Sequence, residues 1–126
     1  LDTNLPKKLE LKNTNRQFFR DILQNLMDNS IKAVKDSDTK IIKCTAYAED
    51  DDLVILVSDT GLGIPKEKRE WVFGLYNTTT EDQGGAGIGL YVVKTRVESL
   101  KGTVTVEDSE FGELGTTIKI VLPFKK

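Results

Sequence analysis

The sequence predicts a single α/β domain. Three observations predict it: two stretches with apolar residues at helical spacing, two pairs of short β-branched runs, and a length with room for one core. The chain has 126 residues, 38% hydrophobic and 30% charged, proportions that suit one globular unit with one buried core. That unit is expected to span residues 1–126 without a repeat or a linker.

The elements follow in order. From Thr14 to Val34 the apolar residues Phe18, Phe19, Ile22, Leu23, Leu26, Ile31 and Val34 recur at helical spacing, with Thr14 or Asn15 placed to cap the start. Ile41 to Ala48 and Leu53 to Ser58 have strand character, and the polar run Glu49, Asp50, Asp51, Asp52 joins them as a hairpin. After the Gly-rich stretch Asp59-Thr-Gly-Leu-Gly-Ile-Pro65, the alternating charges and the apolar Trp71, Val72 and Leu75 predict a brief helix from Lys66 to Leu75. Tyr76 to Ala86 is polar and threonine-rich, the composition of a mobile lid. Ile88, Tyr91, Val92, Thr95 and Leu100 outline a second helix opening from Gly85-Ala-Gly-Ile-Gly89. Thr103 to Glu107 and Thr116 to Leu122 are the last two strands, and Pro123 ends the second.

Charge and composition exclude several classes of function. The 20 acidic and 18 basic residues leave a net charge of −2 and no basic stripe to follow phosphates, so nucleic acid is not an expected partner. One cysteine, Cys44, in a chain without histidine permits no internal disulfide and no ordinary zinc site, and fits a reducing, cytoplasmic setting. No apolar run approaches the ~20 residues that cross a bilayer. The first residue is Leu1 rather than methionine, which points to a piece of a longer polypeptide.

Three constellations carry chemistry. Asp59 follows an apolar strand, so its carboxylate can accept from an exocyclic amine while Gly61 and Gly63 let the backbone approach a flat ligand. Gly85, Gly87 and Gly89 precede a helix, whose free N–H groups and positive dipole end make a seat for phosphate. The spacing matches neither the dinucleotide fingerprint nor a P-loop. Asn25, Asn29 and Lys32 are four and three residues apart on one helical face, where amide oxygens suit Mg²⁺ and the ammonium suits phosphate. Each has an ordinary structural reading alone: a turn, a flexible helix entry, a solvated face. Their combination in this order is what argues for a nucleotide site.

The set Asn25-Leu-Met-Asp-Asn29-Ser-Ile-Lys32, Asp59-Thr-Gly-Leu-Gly-Ile-Pro65, Phe73-Gly-Leu-Tyr76, Gly85-Ala-Gly-Ile-Gly-Leu90 and Gly115-Thr-Thr117 closely resembles the ATP-binding domain of histidine kinases. The wider superfamily includes Hsp90, gyrase and MutL. The resemblance covers about Asn15 to Pro123. It implies the Bergerat fold, a two-layer α/β sandwich whose mixed, mostly antiparallel sheet is covered on one face by helices. It places Asp59 on the adenine amino group, Gly63 beside the base and Thr117 near the adenine. Asn29 would bind Mg²⁺, with Asn25 close to metal and phosphates and Lys32 on the phosphates. Gly87 and Gly89 would hold the phosphates, Phe73 and Tyr76 would anchor the lid, and Gly61, Ile64, Gly85, Ile88 and Leu90 would complete the nucleotide pocket.

ATP-hydrolysing members carry a glutamate where this chain has Asn25, and an amide is a poor general base. The resemblance therefore implies a domain that holds Mg-ATP for an external histidine, since this chain has none. The histidine would belong to a dimerisation domain of the same parent kinase, which could itself be membrane-anchored, and a response regulator would receive the phosphoryl group later. The isolated domain is expected to be monomeric. Two departures from the family pattern are noted: no Lys or Arg lies in Leu75 to Gly84, with Thr80 near the usual basic position, and Ala33 stands where an aromatic is frequent. A catalytically weak nucleotide-binding regulatory module and an anti-sigma-type serine kinase are the alternatives, and Asn25 speaks against the second.

Overall fold

The structure, a computed structural model, describes residues 2–4, 13–74, 89–112 and 115–123. Among these, the element order is β1 (Asp2–Asn4), α1 (Asn13–Val34), β2 (Ile42–Glu49), β3 (Asp52–Asp59), α2 (Gly89–Ser99), β4 (Thr103–Glu107) and β5 (Thr116–Pro123). The strands form one sheet in the order β1-β2-β3-β5-β4. β1 runs parallel to β2 and every other neighbour pair is antiparallel, so the sheet is mixed and mostly antiparallel.

Strand alternation decides which residues meet the helices. Directly opposed residues of an antiparallel pair share a face. Cys44, Val57 and Ile118 thus lie on one side, as do Ala46, Ile55 and Ile120. Leu53, Ile55, Val57, Val104, Val106, Ile118, Ile120 and Leu122 form a single core with Ile22 and Leu26 of α1 and Leu90, Val93 and Val97 of α2. Both helices therefore cover the same face. The opposite face carries Lys43, Ser58, Thr117 and Lys119. Along α1 the buried stripe is Ile22, Leu26, Ser30 and Val34, four-residue steps on one face. Ser30 is the polar residue in that stripe.

The helices are also joined by side chains at their edge. Arg96 of α2 stacks over the Phe18 ring at 4.9 Å and its Nε lies 3.4 Å from Asp21 Oδ2 of α1. The seam beneath is apolar, and Ile22 is fully buried in it. Ile22→Val should cost about 0.5–1.5 kcal/mol for one lost methylene. In urea unfolding the midpoint falls and the slope is unchanged; a changed slope would mean that the seam had loosened as a whole.

Several details differ from the sequence expectations. α1 already includes Asn13, so Thr14 and Asn15 lie within the helix and neither is its cap. The hairpin turn is tighter than its acidic run: Glu49 pairs with Asp52, and Asp50 adopts φ 56 between them, a conformation that Asp tolerates. In place of a brief helix from Lys66 to Leu75 there are two 3₁₀ turns, Lys66–Lys68 and Trp71–Phe73. Segments this short cannot repay α-helix nucleation. β1 was not expected, because three polar residues carry no apolar alternation and only pairing with Thr45, Ala46 and Tyr47 makes them a strand. Among the described residues no helix is long and apolar enough to cross a membrane.

Candidate functional site

Asp59 ends β3 on the helix-covered face and is 2% exposed. Its Oδ1 accepts the Gly61 N–H at 2.9 Å, and Thr116 pairs with Asp59 across the sheet. Burial pushes the carboxyl above its ordinary range, while the Gly61, Ser30 and Thr116 hydrogen bonds pull it down. A buried carboxylate that, among the described residues, is held by neutral donors keeps acceptor capacity for an amine. Beside it, Thr60 locks the strand end to the preceding loop: its N–H donates to the Ile41 carbonyl at 3.1 Å, and its hydroxyl donates to the Thr39 carbonyl at 2.6 Å.

The glycines around Asp59 are required by close backbone approach. A Cβ on Gly61 would lie 2.5 Å from the Ala33 carbonyl oxygen, so the loop sits directly on the last turn of α1. Gly115, at φ +80, rests against Asp59, where a Cβ would fall 1.6 Å from the Asp59 carbonyl oxygen. Gly63, at φ +78, in turn faces the Gly115 carbonyl, 2.9 Å from an added Cβ. Gly63, Ile64, Gly115 and Thr116 also line an open cavity of about 820 Å³ whose other walls include Lys66, Arg69 and Asp108. Arg69 Nη2 and Asp108 Oδ1 form an ion pair of 2.7 Å beside it.

The polar face of α1 points toward the start of α2. Asn25 Nδ2 donates to the Asp21 carbonyl at 2.8 Å, which fixes the amide and leaves its oxygen available. That oxygen lies 3.6 Å from where a Cβ on Gly89 would stand, so Asn25 and the first residue of α2 adjoin. Asn29, one turn further, is half-buried, and Lys32 is exposed in the last turn. Two amide oxygens one helical turn apart near a helix N-terminus fit a hydrated Mg²⁺ carried with phosphates. Asp21 pairs with Arg96 and accepts from Gln17 at 3.0 Å, while its carbonyl orients Asn25.

The structure brings Asp59, Gly61, Gly63 and Ile64 together at one strand end, and Asn25 and Gly89 together at another point along α1. Leu90 packs into the core beneath α2. Tyr76, Gly85, Gly87 and Ile88, with Thr80 and the rest of the expected lid, lie outside the described residues. Thr117 needs correction. It pairs with Ser58, so it faces away from the helices, and its hydroxyl is taken up by Ser58 Oγ at 2.9 Å and by the Glu110 N–H at 3.1 Å. Thr116 pairs with Asp59 and shares its face. Alternation held this signal, because Thr116 is in step with the apolar Ile118, Ile120 and Leu122 and Thr117 is in step with Lys119. Ser30 was also missed. Its signal is a hydroxyl at a core position of the α1 stripe, where a buried polar group requires a partner.

Residues 14–126 match the family described as histidine kinase-, DNA gyrase B- and HSP90-like ATPase. The chain belongs to this family. Among its relatives, the signal transduction histidine-protein kinase ArlS of Staphylococcus haemolyticus is 35% identical over 94% of this chain and 26% of its own length. The sensor histidine kinase DpiB of Escherichia coli is 37% identical over 83% of the chain and 19% of its own length. The chain thus spans about a quarter or less of these relatives. Among solved structures, the catalytic domain of histidine kinase ThkA superposes with TM-score 0.78 at 25% identity, covering 98% of this chain and 78% of that one. Full-length ShkA in complex with AMPPNP superposes with TM-score 0.74 at 28% identity, over 99% of this chain and 26% of that one. The family is that of an ATP-binding fold, and the sandwich described above is its fold.

Proposed function

We propose that this chain is the nucleotide-holding part of a longer sensor histidine kinase, which binds Mg-ATP and offers the γ-phosphoryl group to a histidine on a separate dimerisation domain. A response regulator would be the later acceptor, and the domain alone would be monomeric. The observation that carries the reading is the buried Asp59 carboxylate, oriented by the Gly61 N–H at the mouth of β3. Asp59 would accept from the adenine amino group, with Thr116 beside it on the same face and Gly63 and Ile64 against the base. Asn25 and Asn29 would hold Mg²⁺ and Lys32 the phosphates. The metal would supply charge neutralisation on the phosphate oxygens.

The chemistry of this chain is positioning. Asn25 holds its amide toward α2 but takes no proton at neutral pH, so water near the γ-phosphate finds no base there. ATP would persist until a histidine side chain arrives in line. The decisive experiment supplies γ-labelled ATP and a histidine-bearing dimerisation domain. Label that moves to the partner and is lost in acid supports the reading. Label stable to acid on a serine overturns it in favour of a serine kinase, and tight binding without transfer leaves a nucleotide-binding module.

Binding itself has a simple expected result. With Mg-ATP at about 100 times its dissociation constant, unfolding free energy should rise by roughly 2.7 kcal/mol. Differential scanning calorimetry reads it as a higher melting temperature, and no rise at millimolar nucleotide would count against an adenine site.

A further inference from the structure

On the sheet face opposite the helices, the side chains of Ser58, Thr117 and Glu110 and the Glu110 backbone N–H close a hydrogen-bonded ring. Ser58 Oγ donates to Glu110 Oε1 at 2.7 Å, which uses its only proton. The 2.9 Å contact between Ser58 Oγ and Thr117 Oγ1 must then be donated by Thr117. Thr117 Oγ1 accepts the Glu110 N–H at 3.1 Å, so the chain of bonds leaves the Glu110 backbone and returns to the carboxylate of the same residue. Lys43 Nζ holds the second carboxylate oxygen at 3.3 Å. Ser58 and Thr117 are buried, so each depends on the other members for its hydrogen bonds. The Ser58 hydrogen bond, and Lys43 behind it, hold the Glu110 carboxyl below its usual range.

The ring, with Lys43 of β2 paired to it, ties β3 and β5 to Glu110 of the β4–β5 loop. Its members stand next in sequence to the residues of the nucleotide face: Ser58 precedes Asp59, and Thr117 follows Thr116. Gly115, against the Asp59 carbonyl, and Thr116, paired with Asp59, lead into the strand that the ring holds down. We propose that Glu110 is a positioning residue for adenine recognition: from the far face of the sheet it holds Gly115 and Thr116 in register against Asp59. The inference rests on the reading of Asp59 as the adenine acceptor.

The test compares wild type with Glu110→Ala, Glu110→Gln and Ser58→Ala by titration calorimetry with ADP and GDP, at a temperature where all four are folded. Glu110→Ala should weaken ADP about tenfold and narrow the preference for ADP over GDP, the size expected for one lost orienting interaction. Glu110→Gln keeps an oxygen that can accept from Ser58 and should recover to within about threefold of wild type, which general destabilisation would not reproduce. In nucleotide-free protein, the Gly61 and Thr116 amide resonances should move in Glu110→Ala and return in Glu110→Gln. If Glu110→Ala does not fold, Ser58→Ala carries the comparison, since its side chain faces away from the site. ADP affinities within about twofold of wild type in the alanine variants, with unmoved amides, overturn the inference alone. Absence of ADP binding in wild type overturns the Asp59 reading and this inference with it, and the amide shifts separate that case from a ring that holds nothing.

Discussion

Gly115→Ala should be among the most damaging single substitutions in this protein, costing about 2–5 kcal/mol of unfolding free energy. An L-residue at φ +80 carries the left-handed penalty of roughly 1–2 kcal/mol. The new methyl would also fall 1.6 Å from the Asp59 carbonyl oxygen and 2.8 Å from the Thr60 Cα. Those are backbone atoms at the end of β3 and just past it, so no side chain can rotate aside, and overpacking adds roughly 1–3 kcal/mol. The displacement would reach Gly63, which faces the Gly115 carbonyl, so nucleotide binding should fall with stability. Gly112 is the control: its φ is +76 but a Cβ there meets nothing within 4 Å among the described residues, so Gly112→Ala should cost only the conformational part, roughly 1–2 kcal/mol. Urea unfolding of both variants decides the matter. Equal costs at the two positions would show that contact with Asp59 contributes nothing.

Asp59→Asn should weaken nucleotide binding about 100-fold and leave the fold at least as stable at neutral pH. A hydrogen bond to a charged acceptor contributes roughly 1.5–3 kcal/mol, and reversing the acceptor to an amide NH₂ would also oppose the donor of the ligand. The affinity loss should therefore reach about 100-fold. The stability effect has the opposite sign. Because the folded-state pKa of Asp59 is raised by burial, the folded protein binds the proton more tightly than the unfolded chain does. That contribution is complete below the unfolded pKa of about 3.9 and is lost as pH rises through the folded value. Asparagine cannot ionise, so the ligand-free variant should melt at or above wild type at pH 7 and lose this advantage toward pH 4. Melting curves across that range, with and without Mg-ATP, read both effects. A variant that melts well below wild type at neutral pH would mean that the carboxylate is chiefly structural, and the adenine reading would lose its main support.

Much of the fold was legible because two periodicities express it. The four-residue stripe Ile22, Leu26, Val34 marks the buried side of α1, and the paired β-branched runs mark β2 to β5. The Asp59-Thr-Gly-Leu-Gly run was legible for the same local reason: a carboxylate at a strand end and glycines beside it are contiguous in sequence. β1 was not legible, since its three residues become a strand only by bonding to β2. Nor were the 3₁₀ turns, whose charge alternation imitates a short helix.

By itself, the sequence determined the family, the order of the elements and the identity of the groups that could meet a nucleotide, because side-chain chemistry and hydrophobic period are local properties. Only the tertiary structure decided which of those groups face one another. Strand register turned Thr116 toward Asp59 and Thr117 toward Ser58 and Glu110, and helix packing brought Ser30 onto the carboxylate and Asn25 beside Gly89. One residue of register moves a side chain through the sheet, and a sequence motif that names two adjacent threonines cannot say which of them remains on the ligand side.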